Sequence, residues 1–460
     1  MPIDLNLPVD TGSRDWQRAL EVLQGNILRS HGRDYTALLV IQLEPSPSLR
    51  AQVRKLGESY VTSAKQQVEQ TKQYRLNAKK KAGPDKQLFG NVFLSVWGYS
   101  ALGYSETELF AAFRHPQDLV LSKSNWFMHG MEHKGEVLAD PPRLDWEPVY
   151  RNRLDALLLL ACDDREELER KVSAASSEIA AFGKVLYVER AKTHRRGDFA
   201  VEHFGFADGI SQPRFFKDDT SDKEPPKSVL EPDRLAGEAD AFGSYLVYRK
   251  LEQNVKGFLE DEARLADALR LSGQDRERAG AMIVGRFRDG TPLTKSGKSG
   301  GTPPGDNDFT YNEQGGDPGD RCPMHAHIRK VRPRGRIKYP RARIVRRGVP
   351  YGPYDPTDPK MKPPENGSGL LFLSFQRNIE SQFGRVQSNW MNTVDSPEEG
   401  AGQDPVNGQG WTVARQSWPW EWGKEPCLHF KFGNYMKLLG GEFFFAPSLG
   451  FFRKLAKAKS

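Results

Sequence analysis

The chain has 460 residues, 37% of them hydrophobic and 28% charged, and a formal net charge of +7. That length suits two domains or one large one with a real core, and so modest a charge does not by itself indicate a nucleic-acid binder. Three widely spaced cysteines, Cys162, Cys322 and Cys427, argue against a disulfide framework or a cysteine zinc site and fit a reducing compartment.

The N-terminus has no basic stretch followed by an apolar one, so no secretory signal is read there. A soluble, cytoplasmic protein is the expectation. "YTALLVIQLE" (Tyr35 to Glu44) reads as a strand, followed by a polar, helix-favouring stretch from Ser48 to Lys81. The lysines at 79 to 81 read as a solvated helix end. Strand character returns in "GNVFLSVWGYSALG". "LDALLLLAC", far too short to span a bilayer, is a further strand; "DDREELERKVSAASSEIAAFG" is an acidic helix, and "KVLYVER" closes the set.

Strand, helix and strand, twice over, is the rhythm of a ferredoxin-like α+β domain. The second half repeats it loosely: "GSYLVYRKLEQNV" leads into the helical "KGFLEDEARLADALRLSG", with apolar strands at "GLLFLSFQ" and "EFFFAP". The reading is an α+β fold of two ferredoxin-like modules, antiparallel sheets flanked by helices, over residues 1–200 and 201–460. Lys217 to Asp233 reads as a solvated loop by composition. Arg288 to Asp320, rich in Gly, Pro and Asp, is long enough to be functional or disordered.

Two local spellings carry little. "HGMEH" (His129 to His133) matches a zinc-protease pattern that needs one helix, and Gly130 weakens that helix. "GKS" (Gly297 to Ser299) lacks the first glycine of a phosphate loop, because Pro292 stands there. The basic stretch from Arg321 to Arg347 holds eleven Lys or Arg and no acid. Only Tyr339 interleaves it, so anion pairing suits it better than nucleic acid. In that cationic field His325 and His327 are expected to be neutral lone-pair donors. Asp208, in "HFGFADGISQPRF", is either a turn residue or a carboxylate in an apolar loop able to shuttle a proton. Trp418, Trp420 and Trp422 in "WPWEW" would share one strand face, for packing or as a surface radical site, although Pro419 argues against a central strand.

Taken together and in order, "GFADG" with "ISQP", "CPMHAHIRK", "RIVRRGVPYG", "GLLFLSFQRNI" and "GGEFFFAPSL" resemble the dye-decolourising peroxidase family, in its larger C-type or D-type branch. The resemblance runs from "LQGNILRSHGRDYTALL" to the last twenty residues. It implies one haem b per chain, held mainly by the C-terminal module. It implies hydrogen peroxide and small aromatic donors such as dyes and phenols as substrates, through a ferryl porphyrin-radical intermediate. Neither nucleic acid nor membrane is implied as a partner, and the oligomeric state is left open.

By the same resemblance His327 is the proximal iron ligand and His325 a bystander or rim residue. Asp208 is the distal acid–base group, and Arg346 stabilises charge on the peroxide. Leu370 and Phe372 line the distal pocket, Asp404 accepts from the ligating histidine, and Arg329 meets a haem propionate. Arg332 replaces the family's usual asparagine in "HIRKVRPR", which unsettles the propionate side. The alternative reading is a haem-binding or haem-handling protein with little turnover.

Overall fold

The computed structural model describes residues 3–79, 86–113, 125–220, 223–311, 318–335, 342–410 and 416–455. Four strands of the N-terminal part, β1 (Tyr35–Leu43), β2 (Phe89–Leu94), β3 (Ala156–Cys162) and β4 (Gly183–Lys192), lie in the antiparallel order β4–β1–β3–β2. Four from the C-terminal part, β5 (Phe242–Gln253), β6 (Val349–Tyr351), β7 (Gly369–Gln376) and β8 (Met436–Ala446), repeat that order as β8–β5–β7–β6. Each set is a ferredoxin-like module. They meet at two seams, Leu94 opposite Phe445 and Ala191 opposite Tyr351, so the eight strands close into one barrel.

The strand sequences explain the closure. β3, "ALLLLAC", is buried at every position because the barrel interior takes one face and helices cover the other. Among those helices are α1 (Leu49–Tyr60), α2 (Ala64–Lys79) and α3 (Arg165–Ile179). The side chain of Asp164 caps α3 by accepting from Glu167 N, and Leu168, Val172, Ala175 and Ile179 form its buried stripe. In the C-terminal module α4 (Val255–Ala268), α5 (His327–Val331) and a wide π-type helix (Ile379–Met391) flank the sheet.

Inside the barrel a polar cluster ties the modules together. Tyr150 Oη donates to Glu189 Oε1 at 2.7 Å and lies 2.6 Å from Tyr248 Oη. Lys250 Nζ reaches Glu189 at 2.7 Å and Glu147 at 2.8 Å. Among the described residues no helix is long and apolar enough to cross a membrane.

Several expectations change. The polar stretch after β1 is two helices, broken where Thr62 pairs its backbone with Gly25 and Gly90. Strand character in "GNVFLSVWGYSALG" ends at Leu94, and Ser95 caps a short helix, Val96–Ala101. The second half of Lys217 to Asp233 is not solvated: Val229, Leu230, Glu231 and Asp233 are buried, and Glu231–Pro232 pairs with β5. Composition misleads there because the apolar residues sit between acids that are themselves bonded. In the Arg288 to Asp320 stretch, Phe309 and Tyr311 pack with Cys322 and Ala326 just before α5. In "HGMEH" a short helix stops at His129, Gly130 adopts φ 75°, and His133 lies outside it. Lys80, Lys81 and Tyr339 lie outside the described residues.

Candidate active site

The period-two alternation of β7 creates the site. Leu371, Leu373 and Phe375 point into the barrel and are fully buried. Leu370 and Phe372 point outward and line a cavity, beside Leu251 and Arg249, their register partners on β5. α5 and the π-type helix supply further wall through His327, Ile328, Val331, Phe383 and Val386. Every residue lining this cavity falls between Glu202 and Met436.

His327 is the first residue of α5. Its Nδ1 lies 2.8 Å from Asp404 Oδ2, whose side chain has no exposure, and the ring is among the residues lining the cavity. Asp404 Oδ1 accepts from Val406 N at 2.8 Å and Asn407 N at 3.1 Å. Burial pushes the Asp404 carboxyl up, but His327 and those two backbone donors outweigh it and hold it below the usual value. An ionised acceptor makes Nδ1 the protonated nitrogen and leaves the Nε2 lone pair for a ligand.

Asp208 ends a two-residue strand, Ala207–Asp208, that pairs with Phe199–Val201. Gly205 (φ 91°) and Gly209 (φ 81°) flank it in the left-handed region that glycine enters without strain. The turn is locked by Glu202, which accepts from Phe204 N and Phe206 N, both at 2.9 Å, and from Gln253 Nε2 at 2.8 Å. Burial raises the pKa of Glu202. Asp208 Oδ1 accepts from Gly209 N at 2.6 Å and lies 3.1 Å from Arg346 Nη2.

Arg346 sits on the short strand Val345–Arg346, opposite Ser374 of β7, and its backbone N donates to Gln212 Oε1 at 3.1 Å. Arg347 points the other way: its Nε donates to Asn26 O at 2.7 Å and its Nη2 to Ile27 O at 3.2 Å. Burial pulls the Arg347 guanidinium down to about 9. Strand alternation thus separates two adjacent arginines into a cavity residue and a structural one.

Asp208, Arg346, His327, Leu370 and Phe372 therefore share one cavity, and Asp404 stands behind His327. Arg329 does not join them. Two residues along a helix from His327, it faces nearly the opposite way, is fully buried, donates to Cys322 O at 2.5 Å and lies over the Tyr311 ring. Arg332 and Arg334 line the cavity instead, both bonded to Ser211 Oγ, at 2.7 and 3.2 Å. The departure at Arg332 drew attention to this side of the site, whereas nothing in the sequence reading singled out Arg334.

His325 is not at a rim. It is buried, stacked edge-on against Trp418 at 4.3 Å, and burial followed by the Lys330 charge depresses it to about 3. Nor do the three tryptophans share a face. The strand ends at Pro419, Trp418 is wholly buried, and Trp422 Nε1 donates to Leu293 O at 2.7 Å.

Comparison with known proteins agrees with this architecture. Residues 22–196 match the model of the DyP dimeric alpha+beta barrel domain, and residues 201–400 match the Dyp-type peroxidase C-terminal model. The multifunctional dye peroxidase DyP2 of Amycolatopsis sp. is 35% identical over 99% of this chain and 100% of its own length. The dye-decolorizing peroxidase msp1 of Mycetinis scorodonius is 30% identical over 69% of each. The crystal structure of an Anabaena sp. DyP-type peroxidase superposes with a TM-score of 0.86 at 34% identity, covering 99% of this chain and 98% of that one. That of an Auricularia auricula-judae peroxidase, 22% identical at TM-score 0.74 over 95% and 98%, shares the fold.

The chain belongs to the Dyp-type peroxidase family. It is a peroxide-dependent haem oxidoreductase. The residues present fit the cofactor. Among the described residues no cluster of three or more His, Cys, Asp and Glu could hold a bare metal ion. A single histidine with a free Nε2 suits iron already held by a macrocycle, apolar walls suit the macrocycle itself, and Arg332 and Arg334 suit its carboxylates.

Proposed function

We propose that this chain is a haem b peroxidase, one haem per chain, that reduces hydrogen peroxide and oxidises small aromatic one-electron donors such as dyes and phenols. The division of labour would fall near residue 200, with the C-terminal module holding the cofactor. The observation carrying this reading is that the Asp208–Arg346 pair and the His327–Asp404 pair serve one cavity.

Haem, when bound, supplies the redox chemistry that accepts two electron equivalents from donors and passes them to peroxide. His327 would hold the iron through Nε2, with Asp404 fixing the ring and its tautomer. Oδ1 of Asp208 is committed to Gly209 and Arg346, so Oδ2 is the oxygen that would take a proton from hydrogen peroxide and hand it to the oxygen that leaves as water, with the two electrons for the cleavage supplied by the haem. Arg346 orients the carboxylate and stabilises negative charge developing on the departing oxygen. Leu370 and Phe372 keep the cavity apolar, which strengthens both effects.

The test is the absorption spectrum of the purified holoenzyme before and after one equivalent of hydrogen peroxide. A Soret band that changes with peroxide, disappears in His327→Ala and responds slowly in Asp208→Asn is the expected result. A band indifferent to peroxide would favour the haem-handling alternative, which has no use for the Asp208–Arg346 pair.

A further inference from the structure

α5 is five residues long and bears His327 at its first position; its fourth residue, Lys330, has no exposure at all. Lys330 Nζ donates to three backbone carbonyls, Thr393 O at 2.7 Å, Ser396 O at 2.6 Å and Gly402 O at 2.8 Å. An ammonium has three N–H groups, and these carbonyls take all of them. They belong to the segment that leaves the π-type helix and leads to Asp404.

The same segment is also tied to itself and to the end of the π-type helix. Within it, Gly402 N donates to Val394 O at 2.8 Å, and Asp404 N donates to Met391 O at 3.1 Å. Burying an ammonium is costly, and here burial pulls Lys330 down to about 8 against the opposing pull of Asp404 and Asp395. A methionine of similar length would fill the volume without that cost. What it could not do is gather three carbonyls.

We propose that Lys330 is a positioning residue for the iron ligand: it pins the 393–402 segment to α5, so that Asp404 meets His327 Nδ1 in fixed geometry and sets how strongly His327 donates to the haem iron. The inference rests on His327 being that ligand.

Two effects of Lys330 oppose each other, which makes the proposal decidable. Losing the pin weakens the His327–Asp404 bond, makes the imidazole a poorer donor and favours ferrous iron. Losing only a nearby positive charge would favour ferric iron. The measurement is the ferric/ferrous reduction potential of the holoenzyme as wild type, Lys330→Met, Lys330→Gln, Asp404→Asn and the Lys330→Met/Asp404→Asn double variant.

Pinning predicts that Lys330→Met raises the potential, in the same direction as Asp404→Asn, by about a tenfold change in ferric/ferrous preference, ~59 mV for one electron. It predicts no further rise when Lys330→Met is added to Asp404→Asn, only the fall that loss of the ammonium charge brings. Lys330→Gln, which keeps two N–H donors and is the milder change should the methionine variant fail to fold, should shift by less with the same sign. The Gly402 amide should exchange faster in it. An unchanged or lowered potential in either Lys330 variant, or a full shift persisting on top of Asp404→Asn, overturns the proposal. If His327→Ala leaves the Soret band and potential as in wild type, the ligand assignment itself falls, and this inference with it.

Discussion

Asp208 and Arg346 need each other's geometry. The guanidinium is a planar fork that holds a carboxylate oxygen and still faces the cavity; an ammonium is a point charge on a flexible stem. Asp208→Asn is therefore expected to slow peroxide reduction by roughly 10²- to 10⁴-fold, measured by stopped-flow on the haem spectrum, with haem affinity unchanged. Arg346→Lys should fall well short of wild type despite keeping the charge.

His203, like buried His325, contributes to acid sensitivity. His203 is buried; its Nε2 donates to Tyr351 O at 2.8 Å, and His194, itself close to Asp355, lies beside it. Burial chiefly, with the His194 charge, lowers His203 from 6.5 to about 4. The unfolded chain then binds a proton that the folded chain refuses between those values. The contribution of His203 is full above pH 6.5 and is lost as pH falls toward 4, by a few kcal/mol. Tm measured across that range should fall less steeply with acid in His203→Gln than in wild type.

At this scale the sequence was informative where spelling fixes position, as in "GFADG", and uninformative where direction depends on packing. Arg329 and Arg332 both look available in "HIRKVRPR". Only the short helix decides that the first turns to Cys322 and the second to Ser211.

Single elements are judged by which face a residue takes. On β7, Leu371 lies in the barrel and Leu370 on the cavity. Leu371→Ala is expected to cost about 2–5 kcal/mol in denaturant unfolding. Leu370→Ala should cost clearly less and should show instead in haem binding. The run "GLLFLSFQ" announces a strand but not its faces, because both sides are covered and the usual polar–apolar alternation is missing. The acidic helix after "LDALLLLAC" was easier to place, and in the fold Asp164 caps it ahead of Glu166 and Glu167.

For the whole molecule, the repeated strand–helix rhythm foretold two ferredoxin-like modules, but not that they close on each other. The seams rest on residues as far apart as Leu94 and Phe445, which no local pattern connects. Nor does any local pattern bring Lys250 to Glu189 and Glu147 inside the barrel. Lys250→Met, which strands buried Glu189, is expected to cost about 3–5 kcal/mol and to lower the stability of both modules in a single calorimetric transition.

The cofactor cavity lies on the outer face of β5 and β7, not within the barrel. Folding and cofactor capture are consequently separable in time. The barrel can be completed by a chain that has met no iron, and maturation becomes a docking event at its flank that needs α5 and the π-type helix to yield while the strands stay paired. Hemin offered to native apoprotein should therefore be taken up without a denaturation step, as a Soret band growing in while the far-UV spectrum stays unchanged would show.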